Sequence, residues 1–146
     1  MSDSYDDNDK LVEWDDKYAI GIPLIDEQHK QLIQLTNDLY KACRDGTEAA
    51  NAQFKEAIRG TVDYIKYHFS AEEKMLENIK YPELTAHKRQ HESLVKSILV
   101  DVKNFEEGKK FVPNAFVREL KDWILTHIAV MDVRYAQYMK VTRHKI

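Results

Sequence analysis

Five of the chain's six histidines, with one glutamate and one aspartate, fall at spacings that let four helices aim them at one point. They are His29; His68 with Glu72; His87 with His91; and His127 with Asp132. Histidine is the commonest metal ligand, and carboxylates add hard anionic donors. Five imidazoles and two carboxylates are too many for one tetrahedral zinc, which takes four protein ligands or three plus a water. They fit a pair of octahedral metals that share carboxylate bridges and keep one coordination position open. Taken singly, a histidine on an apolar face is more often a hydrogen-bonded core residue, and His-x-x-x-Glu is a common surface pair on helices. The conjunction tips the balance. Two buried carboxylates need cations, and Lys66, Lys74, Lys88, Arg89 and Lys121 all fall on other helix faces. His144, between Arg143 and Lys145, lies on no inward face and is expected in solvent.

The elements that must position these residues are marked by the breakers. With Gly 4 and Pro 3 in 146 residues, the chain can hold only a few long elements. The spacing predicts an N-terminal arm over residues 1–20 and a bundle over 21–146, an all-α fold of four helices running up-down-up-down. Pro23 suits a first helical turn, and Gly46 suits a stop. The second helix is expected from about Glu48 to Asn78, closed by Tyr81-Pro82. The third should run from Pro82-Glu83 to Gly108, and the fourth from near Pro113 to about Lys140. Trp14 and Tyr18 in the arm are expected to pack over one end of the domain.

The apolar phase places the donors inside. In the first helix Ile25, His29, Leu32, Thr36, Leu39 and Cys43 step by 4 and 3, the signature of an inward seam. Phe54, Ile58, Thr61, Ile65, His68, Glu72, Met75 and Ile79 do the same in the second, and Leu84, His87, His91, Leu94, Ile98, Val102 and Phe105 in the third. In the fourth, Phe116, Leu120, Trp123 and His127 are in phase, and then Asp132 comes five residues on. That step is about 140° around an ideal α-helix. A single π-type insertion between them would restore the phase and carry Tyr135 and Met139 inward. Leu32, Phe69, Trp123, Ile124 and Ile128 lie within a turn of the ligand histidines. They are core residues by default, and in a metal site would also wall the open coordination position.

Composition excludes several classes. A net charge of −3 and pI near 6.1 offer no basic footprint for nucleic acid. Met1-Ser2-Asp3-Ser4-Tyr5-Asp6-Asp7 is acidic where a signal peptide would be basic. No run approaches the ~20 apolar residues of a membrane span, so a cytoplasmic protein is expected. The lone cysteine, Cys43, forms no internal disulfide and reads as core filler.

Four segments carry a family resemblance: W-D-D-K-Y-A-I-G-I-P-L-I-D-E-Q-H, Y-H-F-S-A-E-E-K-M, Y-P-E-L-T-A-H-K-R-Q-H and W-I-L-T-H-I-A-V-M-D-V-R-Y. From Trp14 to about Tyr138 the chain resembles the hemerythrins, and the bacterial hemerythrins in particular. The resemblance implies two iron ions joined by an oxo or hydroxo bridge. It further implies His87, His91 and His127 on one iron, His29 and His68 on the other, and Glu72 and Asp132 bridging them. Dioxygen would then bind the iron with only two histidines. One departure is Ile124, where the family usually has leucine beside the oxygen pocket, which alters the pocket's shape. Carboxylate-rich di-iron enzymes take Glu-x-x-His from two helices, and no Glu-x-x-His occurs here. Reversible oxygen binding is therefore preferred over a peroxidase-like or nitric-oxide-reducing enzyme. The chain leaves no room for a signalling module, so the expectation is a stand-alone carrier, store or delivery protein for an oxygen-consuming enzyme rather than a sensor. Self-association stays open.

Overall fold

Helix starts and stops follow from local chemistry in the computed structural model, which describes residues 10–43 and 48–142. The side chains of residues 48–51 are outside that description, as are Gly46 with its expected helix stop and His144. Helix α1 (Pro23–Cys43) opens on proline, and Asp26 in its first turn accepts from the backbone N–H of Ile20 at 2.8 Å and of Gly21 at 3.2 Å. Helix α2 (Glu48–Asn78) ends where the sequence places it. Its last turn is a Schellman motif: Tyr81 N–H donates to the Leu76 carbonyl, Lys80 N–H to that of Glu77, and Lys80 takes the left-handed position at φ 54°. Tyr81 and Leu76 are both buried in one apolar cluster, at the two positions whose apolar side chains usually accompany the motif.

Helix α3 (Leu84–Glu106) starts two residues later than Pro82 and stops in a second such motif, with Gly108 at φ 70° and Lys109 N–H donating to the Asn104 carbonyl. Helix α4 (Pro113–His127) begins with proline at its first position. It runs into a π segment, Ile128–Asp132, where Val133 N–H donates to the Ile128 carbonyl five residues back. Helix α5 (Val133–Thr142) continues the same rod.

The rods α1, α2, α3 and α4 to α5 form the up-down-up-down bundle, and no strand occurs among the described residues. Two apolar clusters fill it. The larger includes Leu39, Phe54, Ile58, Ile98, Val117 and Leu120; the smaller holds Leu76, Ile79, Tyr81, Tyr135 and Met139. The polar donors lie between them along the axis, sealed from water at both ends. Leu76 rather than Met75 fills the core below Glu72, because Met75 is rotated to the edge of the seam and is only half-buried.

The arm lies along α1 instead of capping one end. Asn37 is the anchor: its Oδ1 accepts from Leu11 N–H (2.9 Å) and Val12 N–H (3.0 Å), and its Nδ2 donates to the Val12 carbonyl (2.6 Å). Trp14, against which Tyr18 packs edge-on, carries the ammonium of Lys30 over its ring. Arm residues 11, 14 and 20 thus meet α1 residues 37, 30 and 26, antiparallel to the helix. No described helix is long and apolar enough to cross a membrane.

Candidate metal centre

All seven donors predicted from spacing are buried, at 5% exposure or less, and the structure brings them together. Each of these five histidines presents Nε2 to the middle of the bundle. Around one pole, Glu72, His87, His91 and His127 place ligand atoms within 4.8 Å of one another; around the other, His29, His68 and Glu72 do so. Glu72 belongs to both. Its Oε1 lies 2.7 Å from His87 Nε2 and 3.2 Å from His91 Nε2, and its Oε2 lies 3.4 Å from His68 Nε2 and 3.8 Å from His29 Nε2. Asp132 divides in the same way. Its Oδ1 is 3.2 Å from both His87 and His127, and its Oδ2 is 3.1 Å from His29. Each carboxylate therefore spans the gap between a three-histidine and a two-histidine group.

The π segment makes this possible. By taking up one extra residue in a wide turn, it turns the five-residue step from His127 to Asp132 into an approach from a single face.

Several of these close contacts are not hydrogen bonds. His29 Nε2 and both oxygens of Asp132 are buried without a hydrogen-bond partner, which is costly unless something else satisfies them. Two donors at adjacent corners of an octahedral ion with bonds of about 2.1 Å sit about 3 Å apart. The shorter N···O separations here match that spacing, and among the described residues no lysine or arginine is buried beside the two carboxylates. The residues present fit a metal.

The electrostatics of the metal-free chain agree. Burial works against a charge on His29 and His87, yet Asp132 and Glu72 outweigh it and raise both imidazoles from 6.5 to about 9. At His68 burial wins, and the ring is pushed down to about 4. Burial and the neighbouring Glu72 push Asp132 up, but the imidazoles of His127, His29 and His87 bring it to about 2. Glu72 is likewise held well below the usual carboxylate range, against its burial, by His29, His87 and His91. Protons on imidazoles thus do the work that a cation would do.

An outer ring of partners was not legible in the spacing. Gln28 Oε1 meets His68 Nδ1 at 2.6 Å, Glu73 Oε2 meets His91 Nδ1 at 2.8 Å, and Gln90 Oε1 meets His127 Nδ1 at 3.4 Å. The Tyr135 hydroxyl donates to Glu72 Oε2 at 3.0 Å. Gln28, Glu73 and Gln90 each adjoin a donor in sequence, a position that reads as off-seam; only the angle between helices reveals the contact.

On the two-histidine side a cavity of about 10 Å³ remains, on the order of one water molecule's space. It touches His29, His68, His127 and Asp132, and its walls include Leu32, Phe69, Trp123, Ile124 and Ile128, with Ile65 and Leu94 completing the apolar lining. Phe69 stacks flat on His91, ring centres 3.7 Å apart, and Trp123 stacks on His127 at 4.5 Å.

A four-helix bundle with a buried His/Glu metal-binding cluster of this form is of the hemerythrin class. The family described as Hemerythrin HHE cation binding domain matches residues 20–138. A bacteriohemerythrin from Stenotrophomonas maltophilia is 35% identical over 89% of this chain and 82% of its own length. A hemerythrin-like protein from Naegleria gruberi is 30% identical over 84% of this chain and 88% of its own. The crystal structure of a wild-type hemerythrin superposes with a TM-score of 0.82 at 26% identity, covering 87% of this chain and 96% of that one. The chain belongs to the hemerythrin family.

Proposed function

We propose that this protein binds dioxygen reversibly at a non-haem centre of two iron ions joined by an oxo or hydroxo bridge, as a carrier or store and not as an enzyme. His87, His91 and His127 would hold one iron, His29 and His68 the other, with Glu72 and Asp132 bridging. Bound there, a ferrous pair supplies two electrons and one open coordination position. The observation that carries the reading is the small apolar cavity that touches both histidines of the two-histidine pole, with only His127 of the other three.

The chain's own residues do the rest. Leu32, Phe69, Trp123, Ile124 and Ile128 keep water from the cavity and offer no acid that could protonate and expel a reduced oxygen species. The Tyr135 hydroxyl donates to Glu72 Oε2, and burial with Glu72 and Asp132 beside it holds its proton firmly. Five neutral imidazoles against two carboxylates favour ferrous iron and holding oxygen over cleaving it. The same reading takes residues 1–20 as an arm and 21–146 as the metal-holding bundle, supported by a family match that begins at residue 20. A cytoplasmic setting and delivery of oxygen to a consuming enzyme fit this role.

The test is an optical spectrum of the anaerobically reduced, iron-loaded protein before air, after air and after argon sparging, with iron measured in parallel. Two irons per chain and a spectrum that returns to the deoxy form are expected. One zinc or one iron per chain, or immediate oxidation with no recoverable deoxy form, would defeat the proposal.

A further inference from the structure

We infer that Glu73 is a positioning and tuning residue for the three-histidine metal, acting through His91. The inference rests on the di-iron reading above for its redox consequence, though not for the contact itself. Because His91 Nε2 faces the centre, 3.2 Å from Glu72 Oε1 and 3.1 Å from His127 Nε2, its other nitrogen must carry the ring proton when Nε2 binds a metal. That N–H points at Glu73 Oε2, 2.8 Å away across the α2–α3 interface, within the range of a charge-assisted hydrogen bond. Phe69 lies flat on the ring, so stacking and the hydrogen bond together fix its plane.

The five histidines are not treated alike. His68 has a neutral partner in Gln28, His127 a long contact to neutral Gln90, and His29 and His87 have no partner at Nδ1. Among the described residues, only His91 has an anion behind it. A carboxylate hydrogen-bonded to the far nitrogen draws the ring toward imidazolate and makes it a stronger donor. A stronger donor favours the more highly charged metal. Glu73 therefore lowers the reduction potential at the three-histidine pole and biases which iron is oxidised first. Its side chain is 24% exposed at the edge of an open groove between α2 and α3 lined also by Ser70, Glu92 and Val95, so the carboxylate keeps part of its hydration. A plain packing role is the alternative, and it predicts no change in potential.

The experiment compares wild type, Glu73→Gln and Glu92→Gln. Gln keeps an acceptor at position 73 and removes the charge; Glu92, next to His91 in the chain, lines the same groove and serves as the control, since the carboxylate on His91 Nδ1 is that of Glu73. With iron loaded, Glu73→Gln should keep its metal and favour the reduced state about tenfold more than wild type, about 59 mV for a one-electron couple, while Glu92→Gln stays at the wild-type value. An unchanged potential at full iron content, or equal shifts in both variants, would overturn the assignment. A wild type that fails to take two irons would sink the di-iron reading instead. In that case the contact is still tested in the zinc-loaded protein by nitrogen-15 NMR: His91 Nδ1 should bear the proton and shift toward imidazolate only when Glu73 is present, and identical ring signals in wild type and Glu73→Gln would overturn it.

Discussion

Ile124 sits one turn before His127, fully in the core, and closes the cavity over the two-histidine pole. Its contribution is steric and dielectric, since it offers no polar atom. Shortening it to alanine removes wall without removing a donor, at a cost of roughly 2–5 kcal/mol. Ile124→Val should cost roughly 0.5–1.5 kcal/mol. Both variants are expected to bind the wild-type amount of iron, and loss of the oxygenated form should be several-fold faster in Ile124→Ala than in Ile124→Val. Stopped-flow mixing with oxygen, followed to the diferric spectrum, measures the order; equal rates in all three proteins would show that the wall does not govern lifetime. Glu72 and Asp132 act otherwise, because each has one oxygen toward each histidine group.

At the scale of elements, the π segment and the arm carry separate predictions. Ala129 and Thr126 are both exposed and flank His127 by two residues and one. Deleting Ala129 turns the step to Asp132 into four residues, so a regular α-helix brings both side chains to one face. Deleting Thr126 instead rotates His127 by about 100° relative to α4. The first deletion should therefore retain metal, and the second should lose at least the metal at the three-histidine pole; metal analysis of the purified variants decides. For the arm, Asn37 supplies two acceptor contacts and one donor contact to the backbone of residues 11 and 12. Asn37→Ala should cost about 1–3 kcal/mol, the penalty for part-buried backbone groups left unpaired. Amide exchange at Leu11 and Val12 should accelerate while exchange in α2 stays slow.

For the whole molecule, the centre makes stability depend on pH in a way that metal reverses. In the metal-free chain His29 and His87 are raised from 6.5 to about 9, so the stability they add is complete below 6.5 and is lost as pH rises through 9. His68, lowered to about 4, acts oppositely: the folded state is weakened as pH falls from 6.5, where the unfolded ring takes up a proton and the folded one does not. Asp132, lowered from 3.8 to about 2, removes further stability as pH falls through that range. Metal-free protein should melt highest near pH 6.5. Loading at pH 7 must displace the protons on His29 and His87, and water supplying the proposed hydroxo bridge gives up another, so about three protons should be released per chain, and the gain in melting temperature should grow toward pH 9. Calorimetric titration in buffers of different ionisation enthalpy counts the protons, and a metal-free optimum at pH 9 would contradict the assigned charges.

The convergence of the seven polar side chains was readable because they sit on seams whose period betrays them. Imidazoles and carboxylates at apolar positions of four amphipathic helices are costly to bury unless a cation satisfies them, and a five-residue step within a helix leaves a π segment as the economical repair. Helix ends were readable where a breaker acts locally, as at Pro23, Gly108 and Pro113. Lys80 escaped, since a lysine in the left-handed position carries no signal and is held there by hydrogen bonds and by the burial of Tyr81 and Leu76 in one apolar cluster. Tertiary structure alone decided which oxygen of Glu72 and Asp132 faces which histidines, that Gln28, Glu73 and Tyr135 stand behind them, and that the arm runs along α1 on Asn37. The physical reason is one of range. Periodicity reports which face of a helix is buried, but a hydrogen bond between helices depends on their separation and rotation, which are set jointly by all the side chains packed between them.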